Sequence, residues 1–296
     1  MKTSNHLLRR LTAALLAAVL ALSIALPVFA SDDGDTIYIN SVSDLLSLAK
    51  SCAYDQWSVG KTVILQKDLS LEGMLWEPIP SFSGQFKGNG HTISDLTITG
   101  QYSPAGLFGI VEEQGSIESL SVRGVVSVSD SADTTTGGIA GINHGTLISC
   151  QFTGVVTGDS EVGGIVGRNE SEGTIDHSTA RAIVTGKSST GGIAGYNLGA
   201  ITGCTNVGSI NTEYQEASLD TDGFTAKMVD YINNKMAAAA DDATNSVTNV
   251  ATDTGGIAGR SSGMILTSVN TGTIGYEHVG YDAVSYTHLR AHETEA

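Results

Sequence analysis

The sequence predicts an all-β chain, a right-handed parallel β-helix with an N-terminal capping helix and one helical insertion. Three observations carry that expectation. The stretch Gly137-Gly138-Ile139-Ala140-Gly141 recurs at 163–167, 191–195 and 255–259, with a weaker copy at 105–109. The first intervals, about 26 and 28 residues, suit one turn of a solenoid. Between the glycines lie short β-branched segments separated by Gly, Asn and Ser, with no sustained helical period.

The repeat is defined by its glycines: Gly106 and Gly109; Gly137, Gly138 and Gly141; Gly163, Gly164 and Gly167; Gly191, Gly192 and Gly195; Gly255, Gly256 and Gly259. Further columns align with them. An apolar residue follows each pair (Ile139, Ile165, Ile193, Ile257), then a small or apolar one (Ala140, Val166, Ala194, Ala258). Later columns are Leu147, Ile175, Ile201, Ile265; then Cys150, Ser178, Cys204, Ser268; then Val156, Val184, Ile210, Ile274. One coil alone buries too little apolar surface to offset the entropy of ordering its backbone. Stacked about 4.8 Å apart, the coils share hydrogen bonds and turn each column into a buried ladder. The glycines are expected to supply φ > 0 at corners and close approach of neighbouring turns.

The pattern G-G-I-A-G-x-N-x-G-x-I-x-x-C-x-N-x-G resembles the GLUG-motif repeat, and the resemblance covers residues 82–280. That family occurs in secreted bacterial surface and adhesin-like proteins and in the non-catalytic region of some immunoglobulin-A-cleaving metallopeptidases. The resemblance thus implies a β-helical, non-enzymatic surface module. The copies differ: Arg260-Ser261-Ser262 replaces the Asn-containing turn, and Glu170-Ser171-Glu172 lengthens another.

Residues 1–30 read as a secretory signal peptide. Lys2, Arg9 and Arg10 precede the apolar run 11–26 and the small-residue site Val28-Phe29-Ala30. Removing a leader with three basic and no acidic residues takes the net charge from −16 to −19. Such acidity disfavours nucleic acid and anionic membranes, and no later apolar run spans a bilayer. Residues 31–101 are expected to hold the cap and first coils. Ser41 and Asp44 resemble a capping box before Leu45, Leu46, Leu48, Ala49 and Cys52 on one helical face. Thr62-Val63-Ile64-Leu65 reads as a strand, and Gly88-Asn89-Gly90 as a tight turn.

The solenoid is assigned to 102–283. Its period breaks between Gly192 and Gly256, an interval of about 64 residues. Phe224, Met228, Ile232 and Met236, at i+4 spacing, predict a helical excursion within 212–254 that leaves from a corner. Residues 284–296 resemble the translation of a sequencing-library adapter and are excluded from fold reasoning. The natural chain is then expected to continue differently after about residue 283, into an anchor, further repeats or a catalytic domain.

No catalytic, metal or cofactor site is expected. Cys52, Cys150 and Cys204 are too few for a disulfide framework, and Cys150 and Cys204, two coils apart, stand too far apart to bridge. Histidines 91, 144, 177 and 278 show no metal-ligand spacing. His292-Glu293 starts an H-E-x-x-H motif, but Ala296 stands at the second His position. A glycan-cleaving site would need paired carboxylates or a carboxylate cluster with a basic partner on one groove; Asp130, Asp133, Asp159, Glu161, Glu170, Glu172 and Asp176, with Arg168 and Arg181 nearby, do not recur in aligned columns and read as acidic turns on a solvated face. The reading is a secreted or cell-surface module that binds an extracellular glycan or host protein, with the insertion or the turns around Asn143, Asn169 and Asn197 as binding elements. The alternative is the scaffold of a larger secreted enzyme.

Overall fold

The computed structural model describes residues 35–54, 56–128, 134–212 and 252–275. All of these but Asp35 belong to one compact unit, Thr36–Ala296. The leader, the excursion with its Phe224–Met236 stripe, and the tail from 276 lie outside the described residues.

The chain winds as a parallel β-solenoid of about six turns with one helix. Each full coil visits four sheets in turn. In the coil after Gly158 these are Val162–Gly163, Val166–Asn169, Thr174–Asp176 and Thr179–Thr185. Every strand pairs in parallel with its counterparts above and below, and the sheets contain four, six, eight and eight strands in the same order. The register reproduces the sequence columns. Ala140 pairs with Val166, Val166 with Ala194 and Ala194 with Ala258; Leu147, Ile175, Ile201 and Ile265 follow one another likewise. Ile139 N–H donates to Ile165 O, Ile165 to Ile193 and Ile193 to Ile257, so the isoleucines form one ladder. All but Ile257 of these are fully buried.

The core changes character along the axis. The first coils are filled by Trp76, Phe82, Phe86 and Phe108, with three phenylalanine rings 5.3–6.3 Å apart between centroids. Later coils are filled mostly by Val, Ile, Leu and Ala, with Phe152 as a buried ring among them. Helix α1 (Val42–Ser51) covers the first coil and buries Leu45 and Leu48. Its start is the expected box: Ser41 Oγ accepts from Asp44 N–H at 3.2 Å, and Asp44 Oδ2 from Asn40 N–H at 2.9 Å. In the last described coil, Ile265 is 38 % exposed where its ladder partner Ile201 is fully buried, because no described coil follows.

The repeat glycines act by contact, which corrects half of their expected role. Those at positive φ are Gly60, Gly73, Gly90, Gly100, Gly154 and Gly203, none of them a defining glycine of the repeat. A Cβ on Gly137, Gly163 or Gly191 would stand 2.7, 2.7 or 2.5 Å from the backbone nitrogen of Gly167, Gly195 or Gly259 in the next coil. Two backbones touch at this corner. The left-handed turn falls to other residues: Ser119, Ser149, His177 and Thr267 share one corner column at φ 46–53°. In the same column a glycine, Gly203 at φ 62°, serves the turn itself. Gly88-Asn89-Gly90 is the tight turn expected, closed by His91 N–H to Gly88 O at 2.9 Å.

Candidate functional site

Asn143, Asn169 and Asn197 do not form a binding ridge: all three are fully buried. Asn143 Nδ2 donates to Asn169 Oδ1 at 2.8 Å, Asn169 Nδ2 to Asn197 Oδ1 at 2.8 Å, and Asn197 Nδ2 to Ser261 Oγ at 3.1 Å. Each amide also closes its own turn, on Gly145, Gly173 or Gly199 O. Carboxamides stacked at the coil spacing satisfy one another, so the column turns inward. The ladder begins at Asn143, whose Oδ1 has no partner because the register places Val111 on the coil before. A second, shorter ladder joins Asn206 Nδ2 to Asn270 Oδ1 at 2.7 Å.

Cys150 and Cys204 are buried free thiols, as is Cys52. Ser178 stands between them and Ser268 follows Cys204; their hydroxyls accept from Cys150 and Cys204 N–H at 3.1 and 3.2 Å. Burial pushes the Cys150 thiol up to about 12 and Cys204 and Cys52 to about 11. These are inert core groups and not nucleophiles.

The solvent-facing chemistry lies at the corner preceding each glycine pair and on the adjoining sheet. From Ser116–Glu118 onward the turns between the third and fourth sheets hold two residues, whereas those entering the glycine pair vary: 158–161, 186–187 and 211–251. Asp159 N–H donates to Thr134 Oγ1 at 2.8 Å, and Lys187 Nζ lies 2.9 Å from Asp159 Oδ1. Arg168 Nη1 donates to Glu161 Oε1 at 2.8 Å; its Nε lies 2.7 Å from Glu170 Oε1 but off the hydrogen-bond axis, an ion pair only. Arg168 and Arg260 flank the Tyr196 ring, with guanidinium carbons 5.2 and 5.5 Å from its centroid. These three residues fill the column between the third glycine and the asparagine, which was legible in the aligned sequence and was overlooked.

Among the described residues, the carboxylates singled out from sequence do not assemble into a paired acid and base. Glu161 and Glu170 share Arg168, Asp159 pairs with Lys187, and Asp176 Oδ1 lies 2.8 Å from His177 Nδ1. The carboxyls with shifted acidity move downward: the Asn40 backbone N–H lowers Asp44, the Thr92 N–H lowers Asp68, and the Ser171 hydroxyl lowers Glu172. A general acid needs the opposite shift. Asp130 and Asp133 lie outside the described residues. So does His278. His91 pairs with Asp68 at 3.1 Å, far along the chain from His177. Among the described residues no group of three or more metal-ligating side chains forms, and no helix is long and apolar enough to cross a membrane.

Comparison with known proteins places likenesses beside this geometry. Halomucin of Haloquadratum walsbyi is 32% identical over 155 residues, 48% of this chain and 2% of that protein. A protein provisionally named a Gly-rich membrane protein, from Evansella cellulosilytica, is 29% identical over 137 residues, 33% of this chain and 16% of its own length. The chain therefore spans a small fraction of these relatives. A Bacteroides ovatus crystal structure, provisionally named an immunoglobulin A1 protease, aligns over 59% of this chain and 67% of its own at 16% identity and a TM-score of 0.39. The family profile of the GLUG motif matches residues 158–185. That span runs from one variable corner through all four sheets to Thr185. The chain carries the GLUG motif at residues 158–185, and those residues are one complete coil.

Proposed function

We propose that this solenoid is a non-enzymatic module of a secreted or cell-surface protein, which holds variable corner turns out to an extracellular glycan or host protein. One observation carries the reading: the repeated residues are consumed by ladders and backbone contacts, while the widest variation in turn length, from 186–187 to 211–251, falls at the corner that enters the glycine pair. A rigid scaffold that varies only in its displayed loops is built for recognition. The relatives are long proteins of which this repeat is a small part, in keeping with a module. The largest excursion leaves after Thr212 and returns at Thr252, and its ends are tied by Asn211 Nδ2 donating to Thr254 Oγ1 at 2.9 Å.

The test compares attachment of the intact protein, and of a variant with 213–251 replaced by a short Gly-Ser linker, to mucin-coated and glycoprotein-coated surfaces. The intact protein should attach and the variant should attach less, with its β-rich circular dichroism retained. Failure of the intact protein to attach to any coated surface rejects the reading. Full attachment by the variant transfers binding from the excursion to the rest of the module.

A further inference from the structure

A groove at the N-terminal end offers a built site of a definite chemical kind. It arises from unequal turns. The chain passes from Ile79–Phe82 to Gln85–Lys87 through two residues, Ser83 and Gly84, whereas the next coil uses four, Glu112 to Gly115, between Phe108–Val111 and Ser116–Glu118. On the other side the loop after α1 packs directly on the short turn: a Cβ on Gly84 would stand 2.7 Å from both Ser58 O and Lys61 O. The short turn becomes a floor between two walls. The space between them, about 440 Å³, is lined by Gln56 and Val59 on one wall, Ser81 and Ser83 below, and Glu112, Glu113 and Gln114 on the other. That volume falls within the ~300–1,000 Å³ span of ligand sites.

The polar groups of this groove are not consumed by the fold. Ser83 is 8 % exposed; its N–H donates to Ser58 Oγ at 2.9 Å, but its own hydroxyl has no hydrogen-bond partner among the described residues. The side chains of Gln56, Glu113 and Gln114 likewise make no hydrogen bond within the described residues. Glu112 is held in place by Ser81 Oγ, which donates to its Oε1 at 2.7 Å. The wall is firm, because Glu112 N–H donates to Phe82 O and Gly115 N–H to Glu112 O.

We infer that this groove binds a neutral sugar through its vicinal hydroxyls, an assignment that rests on the glycan branch of the proposed function. Among the described residues no Lys, Arg or His lines the groove, and two carboxylates do, so sulfated, sialylated or uronic sugars meet repulsion. The carboxylates only accept, so the ligand must donate; the carboxamides and the Ser83 hydroxyl also donate, so it must accept too. Adjacent sugar hydroxyls do both. A protonated amine would satisfy the carboxylates but leave the carboxamide donors unpaired. Exposed Val59 supplies the apolar contact that the C–H face of a pyranose takes.

Titration calorimetry of the intact protein with mannotriose, maltotriose, chitotriose and lacto-N-neotetraose, against sialyllactose and a sulfated disaccharide, tests the assignment. At least one neutral sugar should bind with a dissociation constant on the order of 1 mM, typical of an open polar site. Glu113→Gln and Ser83→Ala should each weaken it about tenfold. Ser83→Ala should leave the thermal midpoint unchanged or raised, since it removes a hydroxyl with no internal bond. Overturning results are no binding of any neutral sugar, equal binding by the variants, or equal binding of the acidic sugars. If the intact protein still attaches to mucin in that case, the groove assignment alone fails; if it attaches to nothing, the proposed function fails with it.

Discussion

At the scale of single residues, the buried asparagine column makes a graded prediction. Asn169 both donates and accepts along the ladder, so Asn169→Ala leaves Asn197 Oδ1 without its donor and Asn143 Nδ2 without its acceptor. Each orphaned buried group costs about 1–3 kcal/mol. Asn143→Ala also removes an Oδ1 that already lacks a partner. Urea denaturation should therefore rank Asn169→Ala as the more damaging, and equal losses would show that the ladder is not cooperative. The thiols make a second prediction. Burial raises Cys150 and Cys204 from the ordinary 9.0 to about 12 and about 11. Their contribution is therefore complete below pH 9 and is lost as pH rises through 11 to 12. The variant Cys150→Ser/Cys204→Ser keeps a side chain the column already accommodates. Its urea midpoint should fall less steeply above pH 9 than that of the parent, and parallel curves would count against the thiols.

At the scale of elements, corner glycines and loop glycines should respond differently to a methyl group. At Gly163 the nearest obstacles are the backbone of Val166 and Gly195, which cannot rotate away; at Gly73, with φ at +76°, nothing lies within 4 Å. Gly163→Ala should cost about 3 kcal/mol, the upper end for overpacking, and Gly73→Ala about 1–2 kcal/mol, the cost of a left-handed backbone. Thermal midpoints of the two variants decide it. Ile165→Asp is a stronger insult, because Ile139 and Ile193 close the ladder above and below a fully buried position. A carboxylate there has no partner and should unravel the adjoining coils. An unchanged thermal transition would contradict the ladder. At α1, Ser41→Ala removes one cap bond and should cost about 1 kcal/mol.

At the scale of the whole molecule, the solenoid accepts a large excursion without losing register. Thr190 pairs with Thr254 and Ala194 with Ala258 across it, and Asn197 continues its ladder to Ser261. Stability in such a stack is a sum over neighbouring coils, so an insertion at a corner need not disturb it. Replacing 213–251 by a short linker should thus preserve the β-sheet spectrum and shorten the loop between two anchored ends. The cut stops at 251 because Thr252 and Asp253 belong to the strand Thr252–Gly255. Loss of the sheet signal would place the excursion in the core.

How much was legible from sequence follows from the geometry of stacking. A parallel coil sets each residue beside its equivalent one turn away, so aligned identities along the chain translate directly into neighbours in space. The isoleucine, leucine and cysteine–serine columns, the capping box at Ser41 and the tight turn at Asn89 were all readable for this reason. The sequence also determined where the period breaks. What it left undecided were contacts between different columns. Whether Asn169 faces water or core depends on the turn wrapped around it, and glycine's role at 163 depends on Gly195 in the next coil. The groove depends on unequal turns that bring Gln56, Ser83 and Glu113 together. No alignment of one repeat with the next contains those distances; only the closed coil does.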